Sequence, residues 1–98
     1  MSGGSDDTER FMAQVERIAI AHPHLTQLQA ALIAASLLGI AQDSRSFARL
    51  LGLAHALVLR ELNALAGTDL VEITRRDPRT MRAFYAAAPA AAGLLEAA

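Results

Sequence analysis

The second half of the chain restricts the fold most, because its apolar pattern changes there from a helical period to an extended one. Two short helical segments meet at Gly52, and glycine tolerates the left-handed backbone that a tight turn between helices needs. Residues 70–74 and 81–86 are rich in β-branched and aromatic residues and predict two strands. Asp77-Pro78 between them is a turn signal. The pattern predicts two helices followed by a β-hairpin.

The first half of the chain predicts two further helices. Apolar spacing indicates a helix from about residue 8 to Ala21, and His22-Pro23-His24 interrupts it because proline disfavours helix in the residue before it. A second helix over 25–38 is apolar nearly all round, which is typical of a helix that is central or shared with a partner. Residues 40–42 allow a short strand, and a final alanine-rich helix follows Pro89. The fold class is mainly α with a small β-hairpin, in the order α-α-β-α-α-β-β-α.

The core faces of the third and fourth helices follow from the same periodicity. Asp43 or Ser44 is expected to cap the third helix. Its apolar side is predicted to be Phe47, Leu50 and Leu51, and that of helix 54–67 to be Val58, Leu62 and Leu65.

Composition limits the function classes. The 98 residues have no cysteine, which excludes disulfides and thiol chemistry. The start of the chain lacks the features of a signal peptide, and we expect a disordered tail over 1–7, one domain over 8–98 and a cytoplasmic location. The formal net charge is −1, but residues 43–85 carry seven arginines against five acids and are locally basic.

Several phrases in the basic segment resemble one family. These are the run from Ser46 to Leu53, which ends in Leu-Gly-Leu, the pattern Leu-x-x-Leu at Leu62, and the arginine-flanked Asp-Pro turn in the segment 75–82. Together they resemble MarR-type regulators and their shorter winged helix-turn-helix relatives over roughly residues 22–95.

The resemblance implies a dimeric transcriptional regulator that binds double-stranded DNA and acts as a repressor. Helix 54–67 would enter the major groove, and the wing 74–82 would follow the backbone or the minor groove. Arginine side chains favour hydrogen bonds to guanine, and asparagine side chains favour hydrogen bonds to adenine. Basic side chains also contact the phosphates of the backbone. The predicted DNA-binding residues are Ser44, Arg45, His55, Arg60, Asn63, Arg75, Arg76, Arg79 and Arg82.

The amount of apolar surface predicts a homodimer. Its interface is expected to use the first and last helices, through Phe11, Val15, Ile18, Leu94 and Leu95. Any small-molecule effector would have to bind at that interface, and the sequence identifies none.

The fourth helix also departs from the family. Ala54, Ala56, Leu57 and Leu59 stand where the family commonly has polar residues. The alternative interpretation is therefore a winged helix that docks proteins, as an adaptor or anti-regulator, without sequence-specific DNA binding.

The sequence offers little for catalysis or metal binding. It contains no phosphate loop, nucleophile elbow or carboxylate pair, and we expect neither an enzyme nor a cofactor. His22 and His24 flank a proline without a third ligand, a pattern more typical of a loop than of a metal site.

Overall fold

The structure, a computed structural model, describes residues 3–91 and confirms a mainly helical chain with a small antiparallel hairpin. The helices are α1 (Gly3–Ala21), α2 (Gln27–Leu37), α3 (Ser44–Leu51) and α4 (His55–Ala66), and the strands are β1 (Val71–Asp77) and β2 (Arg82–Ala87). Residues 89–91 are helical again. Within residues 3–91, no helix is long and apolar enough to cross a membrane.

Helix α1 begins earlier than the sequence suggests. It starts at Gly3 rather than near residue 8, so it takes in most of the segment 1–7 that was expected to be a disordered tail. The sequence places acidic residues close to the amino-terminal, positive end of the helix dipole, which favours an early start. The predicted end at Ala21, just before the His-Pro-His loop, is confirmed.

Helix α2 is the central element of the core. Thr26 caps it in a capping box: the Thr26 hydroxyl accepts from the Gln29 amide, and the Gln29 side chain accepts from the Thr26 amide, both at 3.1 Å. All six residues from Ala30 to Ala35 are buried. The sequence predicted that a helix apolar all round is either central in the fold or shared with a partner, and the structure shows α2 in a central position.

Helix α1 covers one side of α2. Val15 is 4% exposed and Ile18 is fully buried, while Phe11 packs partly buried against the same core. Val15 and Ile18 are thus wrong as dimer contacts, because their side chains are already used within one chain. Leu94 and Leu95, the other predicted dimer contacts, lie outside the described residues.

Helices α3 and α4 join through a tight turn. Asp43 caps α3 by accepting from the Ser46 amide at 2.9 Å, and Gly52 ends it in the left-handed region with φ of +66°. The predicted core face of α4 is confirmed, since Val58, Leu62 and Leu65 are buried.

The predicted apolar side of α3 is partly wrong. Phe47 is buried as expected, but Leu50 is 60% exposed and Leu51 is 41% exposed. The buried face consists instead of Ser44, Phe47 and Ala48. On a helix of 3.6 residues per turn, Leu50 lies about 120° from Ser44, so the burial of that serine turns Leu50 outward.

The strands β1 and β2, with the turn 78–81 between them, form the hairpin. Its register runs from Val71 opposite Ala87 to Asp77 opposite Arg82, with an irregularity between Ile73 and Arg75. Asp77 accepts from the Met81 amide at 2.8 Å across the turn. Because β1 extends to Asp77, Arg75 and Arg76 lie in the strand. The sequence had placed these two arginines in the turn at the tip of the hairpin, and that prediction is wrong.

The hairpin is anchored to the helices through β2. The Tyr85 hydroxyl donates to the Leu32 carbonyl at 2.8 Å, and the Ala87 amide donates to the Ser36 hydroxyl at 2.9 Å. The Tyr85 amide also donates to the Gln42 carbonyl at 3.0 Å.

The predicted strand over 40–42 is reduced to one bridge, between Asp43 and Phe84. The chain leaves the hairpin there because Asp43 is also the cap of α3.

Candidate nucleic-acid interface

Ser44 lies where α3, α4 and β2 meet. It is fully buried, and its hydroxyl accepts from the Ala83 amide of β2 at 2.9 Å. The same oxygen is 2.7 Å from Nε2 of His55, the first residue of α4. One side chain thus holds three elements together. We call Ser44, His55 and the Ala83 amide the junction.

The junction changes the role expected for Ser44. A hydroxyl with no exposed surface cannot contact a phosphate on a duplex, so the prediction of Ser44 as a DNA contact is wrong. Nor does the Ser44–His55 pair present a nucleophile, since the serine oxygen is enclosed and already bonded.

The neighbourhood of His55 favours its neutral form. Burial lowers the pKa of His55, and the positive charges of Arg45 and Arg82 lower it further, while Asp43 opposes them. A neutral ring with its proton on Nδ1 accepts a hydrogen bond from the Ser44 hydroxyl at Nε2. His55 itself is partly exposed, so it stays in the predicted set at the edge of the surface.

Asp43 and Arg82 tie the start of α3 to β2. Nε of Arg82 is 3.4 Å from Oδ2 of Asp43, and only 34% of the arginine side chain is exposed. Burial on its own would raise the pKa of Asp43, but hydrogen bonds from the Ser46 amide and hydroxyl and the charge of Arg82 hold that pKa below its ordinary value. Asp43 therefore stays ionised and keeps Arg82 in place.

Helix α4 presents the outward face that the sequence predicted. Ala56, Arg60 and Asn63 are all exposed. Nη2 of Arg60 is 3.8 Å from Oε2 of Glu61, and the arginine side chain is 75% exposed. A pair of that length in water contributes little, so Arg60 can exchange Glu61 for another acceptor.

The hairpin lies beside this face of α4. Nη2 of Arg76, on β1, donates to Oδ1 of Asn63 at 2.6 Å, and both residues are exposed. The two predicted elements of the interface are thereby in direct contact. Neither their contact nor its distance is visible in the spacing of the sequence.

Two further arginines also make contacts within the chain. The guanidinium of Arg75 lies 4.2 Å from the centre of the Phe84 ring, in a cation–π contact. Nη2 of Arg45, on α3, donates to the Thr80 carbonyl in the hairpin turn at 3.0 Å. We call Arg45, Arg75, Arg76 and Arg82 the engaged arginines.

The guanidinium groups of Arg49 and Arg79 make no hydrogen bond or ion pair within residues 3–91. In the turn, Asp77 accepts from the backbone amide of Arg79 at 3.0 Å, which orders the loop and leaves the Arg79 guanidinium exposed. We call these two the unengaged arginines. The sequence interpretation missed Arg49, although its position four residues after Arg45 places both on one face of α3.

The two histidines of the loop after α1 form an edge-to-face pair with ring centroids 5.8 Å apart. Across the part of the chain that the structure describes, no three His, Cys, Asp or Glu side chains lie close enough together to hold a metal ion.

Comparison of the chain with protein-family models, with curated proteins and with solved structures gives no match.

Proposed function

We propose that this chain is a winged-helix protein that binds duplex DNA as a dimeric transcriptional repressor. The observation that carries the proposal is the Arg76–Asn63 hydrogen bond of 2.6 Å, because it joins the exposed face of α4 to the arginine-bearing hairpin. In this interpretation α4 is the recognition helix and the hairpin is the wing.

The order of the elements supports the proposal. Two helices around the turn at Gly52 are followed directly by a hairpin that packs back on α3 through Ser44 and on α2 through Tyr85. A surface helix next to such a hairpin can occupy a major groove while the hairpin reaches the neighbouring backbone.

The arginines divide the binding between them. Arg79 in the turn and Arg49 on α3 are unengaged, so each can neutralise a phosphate without breaking a contact in the chain. Arg60 and Asn63 face outward for base edges. The engaged arginines hold the hairpin against the helices, and Arg45 and Arg76 stay exposed enough to share their remaining donors with DNA.

A titration against DNA tests this proposal. A fluorescent 30-base-pair duplex, measured by anisotropy at several salt concentrations, should bind with an affinity that falls steeply as salt rises. Arg79→Ala should lower the magnitude of the salt slope by about 1 for each copy of the chain on the duplex, because each copy loses one phosphate contact. Arg17→Ala on α1, whose guanidinium is bonded to Gln14, is the matched control and should keep the slope.

The second candidate is a protein-docking module. It is favoured by the engagement of Arg45, Arg75, Arg76 and Arg82 within the chain, which leaves fewer arginines for DNA. Leu57 and Leu59, which suggested an apolar docking face, are partly buried, and Leu59 packs on the core. Absence of duplex binding at low salt would contradict the DNA proposal and favour this one.

A further inference from the structure

An open apolar groove lies away from the hairpin, between the first half of α1, the end of α2 and the end of α3. Its volume is about 620 Å³. Its apolar lining consists mainly of Phe11, Met12, Ala35, Ile40, Leu50 and Leu51. The burial of Ser44 produces this groove in part, because it turns Leu50 outward.

Most of the large apolar side chains that are exposed in the described part of the chain lie in the groove. Six large apolar residues in that part of the chain are exposed, and four of them line the groove: Met12, Ile40, Leu50 and Leu51. Single exposed apolar residues are ordinary, but several in one concave site mark a surface that another molecule covers.

Two charges of opposite sign stand at the edge of the groove. Asp7 and Arg10 both line it, both are exposed, and they are three residues apart on α1, which places them on one side of the helix. Neither of them forms an ion pair among the side chains that the structure describes, those of residues 7–91. The apolar site therefore has an edge with no net charge and one unpaired group of each sign.

We propose that a second copy of this chain covers the groove, in a two-fold arrangement. In such a dimer each contact occurs twice, so a surface must be complementary to itself. Two copies of α1 that cross over the groove bring Asp7 of one copy to Arg10 of the other, and the reverse, while Met12 and Leu50 are buried between them. A strongly acidic or basic partner would leave one of the two charges facing its own sign.

This dimer replaces the predicted one, in which Phe11, Val15 and Ile18 of the first helix were to contact the partner together with Leu94 and Leu95. It keeps Phe11, which lines the groove, and leaves out Val15 and Ile18, which are buried within one chain. It deepens the proposed function by naming the dimer surface, yet it does not require DNA binding. Its test is made without DNA, so that failure of either proposal can be recognised separately.

Light scattering after size exclusion tests the dimer. The chain has a mass of 10.4 kDa. We expect about twice that mass at a protein concentration of about 50 µM, because this concentration is well above a dissociation constant of about 1 µM. Met12→Glu should weaken the dimer by more than about tenfold, because it places a charge in the apolar contact. Ile20→Glu is the matched control: Ile20 is on the same helix, is 77% exposed and lies outside the groove lining.

A charge exchange tests the two-fold pairing. Asp7→Arg alone should weaken the dimer, since two arginines then face each other, and Asp7→Arg with Arg10→Asp should restore it. Circular dichroism of each variant shows whether the helices are retained. A wild-type chain that is monomeric at 50 µM, a Met12→Glu chain that stays dimeric, or a double exchange that fails to restore the dimer while helicity is kept would overturn the proposal.

Discussion

The junction, where Ser44 of α3 binds β2, and the hairpin turn at Arg79 are both polar regions, yet their environments are opposite. Ser44 is fully buried and bonded to two other elements, whereas Arg79 is exposed and its guanidinium makes no hydrogen bond or ion pair in the described chain. Polar residues close to α4, the proposed recognition helix, thus have two different roles. Those in the junction hold the fold together, and those in the turn are available to another molecule.

The largest effect that distinguishes the two regions should be on stability. Ser44→Ala leaves the buried Ala83 amide without its acceptor, and an unsatisfied buried group costs about 1–3 kcal/mol. Arg79→Ala, in contrast, should change the free energy of unfolding by less than about 0.5 kcal/mol. Urea denaturation followed by circular dichroism measures both.

Equal stabilities of the two variants would break the comparison, because they would mean that the Ser44 contacts do not hold the hairpin. Circular dichroism in the binding buffer is the control for Ser44→Ala. It measures the folded fraction of the variant, so that weaker duplex binding can be separated from a loss of stability.

A smaller effect should come from pH. The pKa of His55 is lowered in the folded chain, so the unfolded chain binds a proton more readily. Stability should be unaffected above the ordinary pKa of about 6.5 and should fall as the pH decreases below it, until the folded histidine is protonated too. Urea midpoints at pH 7.5 and pH 5 measure the fall.

His55→Gln is the control for this pH dependence, because its amide can still accept from Ser44 but does not titrate. We expect a smaller decrease in the urea midpoint for this variant between the two pH values. An identical decrease in the two proteins would show that groups other than His55 cause it.

The helices and the hairpin could be predicted because each has a local signal. The turn at Gly52 and the face formed by Val58, Leu62 and Leu65 depend on residues close in sequence, and the structure confirms both. Of the two caps that the sequence left open for α3, Asp43 and Ser44, the structure shows Asp43. The outward direction of Arg60 and Asn63 follows from the same helical period.

The burial of Ser44 was not predictable in this way. A serine at the start of a helix ordinarily faces water, and its burial is made favourable here by the amide of Ala83, 39 residues away, and by His55, 11 residues away. The prediction chose the core face of α3 by its large apolar residues, Phe47, Leu50 and Leu51, and so it did not include Ser44.

The burial of α1 was predictable from the sequence, but the element that covers it was not. The period of Val15 and Ile18 shows that they are buried but not by which chain, since α2 and a partner helix offer the same apolar contact. The contacts of Arg76 with Asn63 and of Arg75 with Phe84 depend in turn on the register of the hairpin, which is irregular after Ile73.

The most direct test of the account is to observe which amides respond to DNA. Two-dimensional NMR spectra of the ¹⁵N-labelled chain would be recorded while a 30-base-pair duplex is added at low salt. We predict the largest shifts at Ala56, Arg60 and Asn63 of α4 and in the turn 78–81, with little change along the second half of α1. Shifts confined to the groove around Met12 and Leu50, or no shifts at all, would contradict the assignment of α4 and the hairpin as the DNA-binding face.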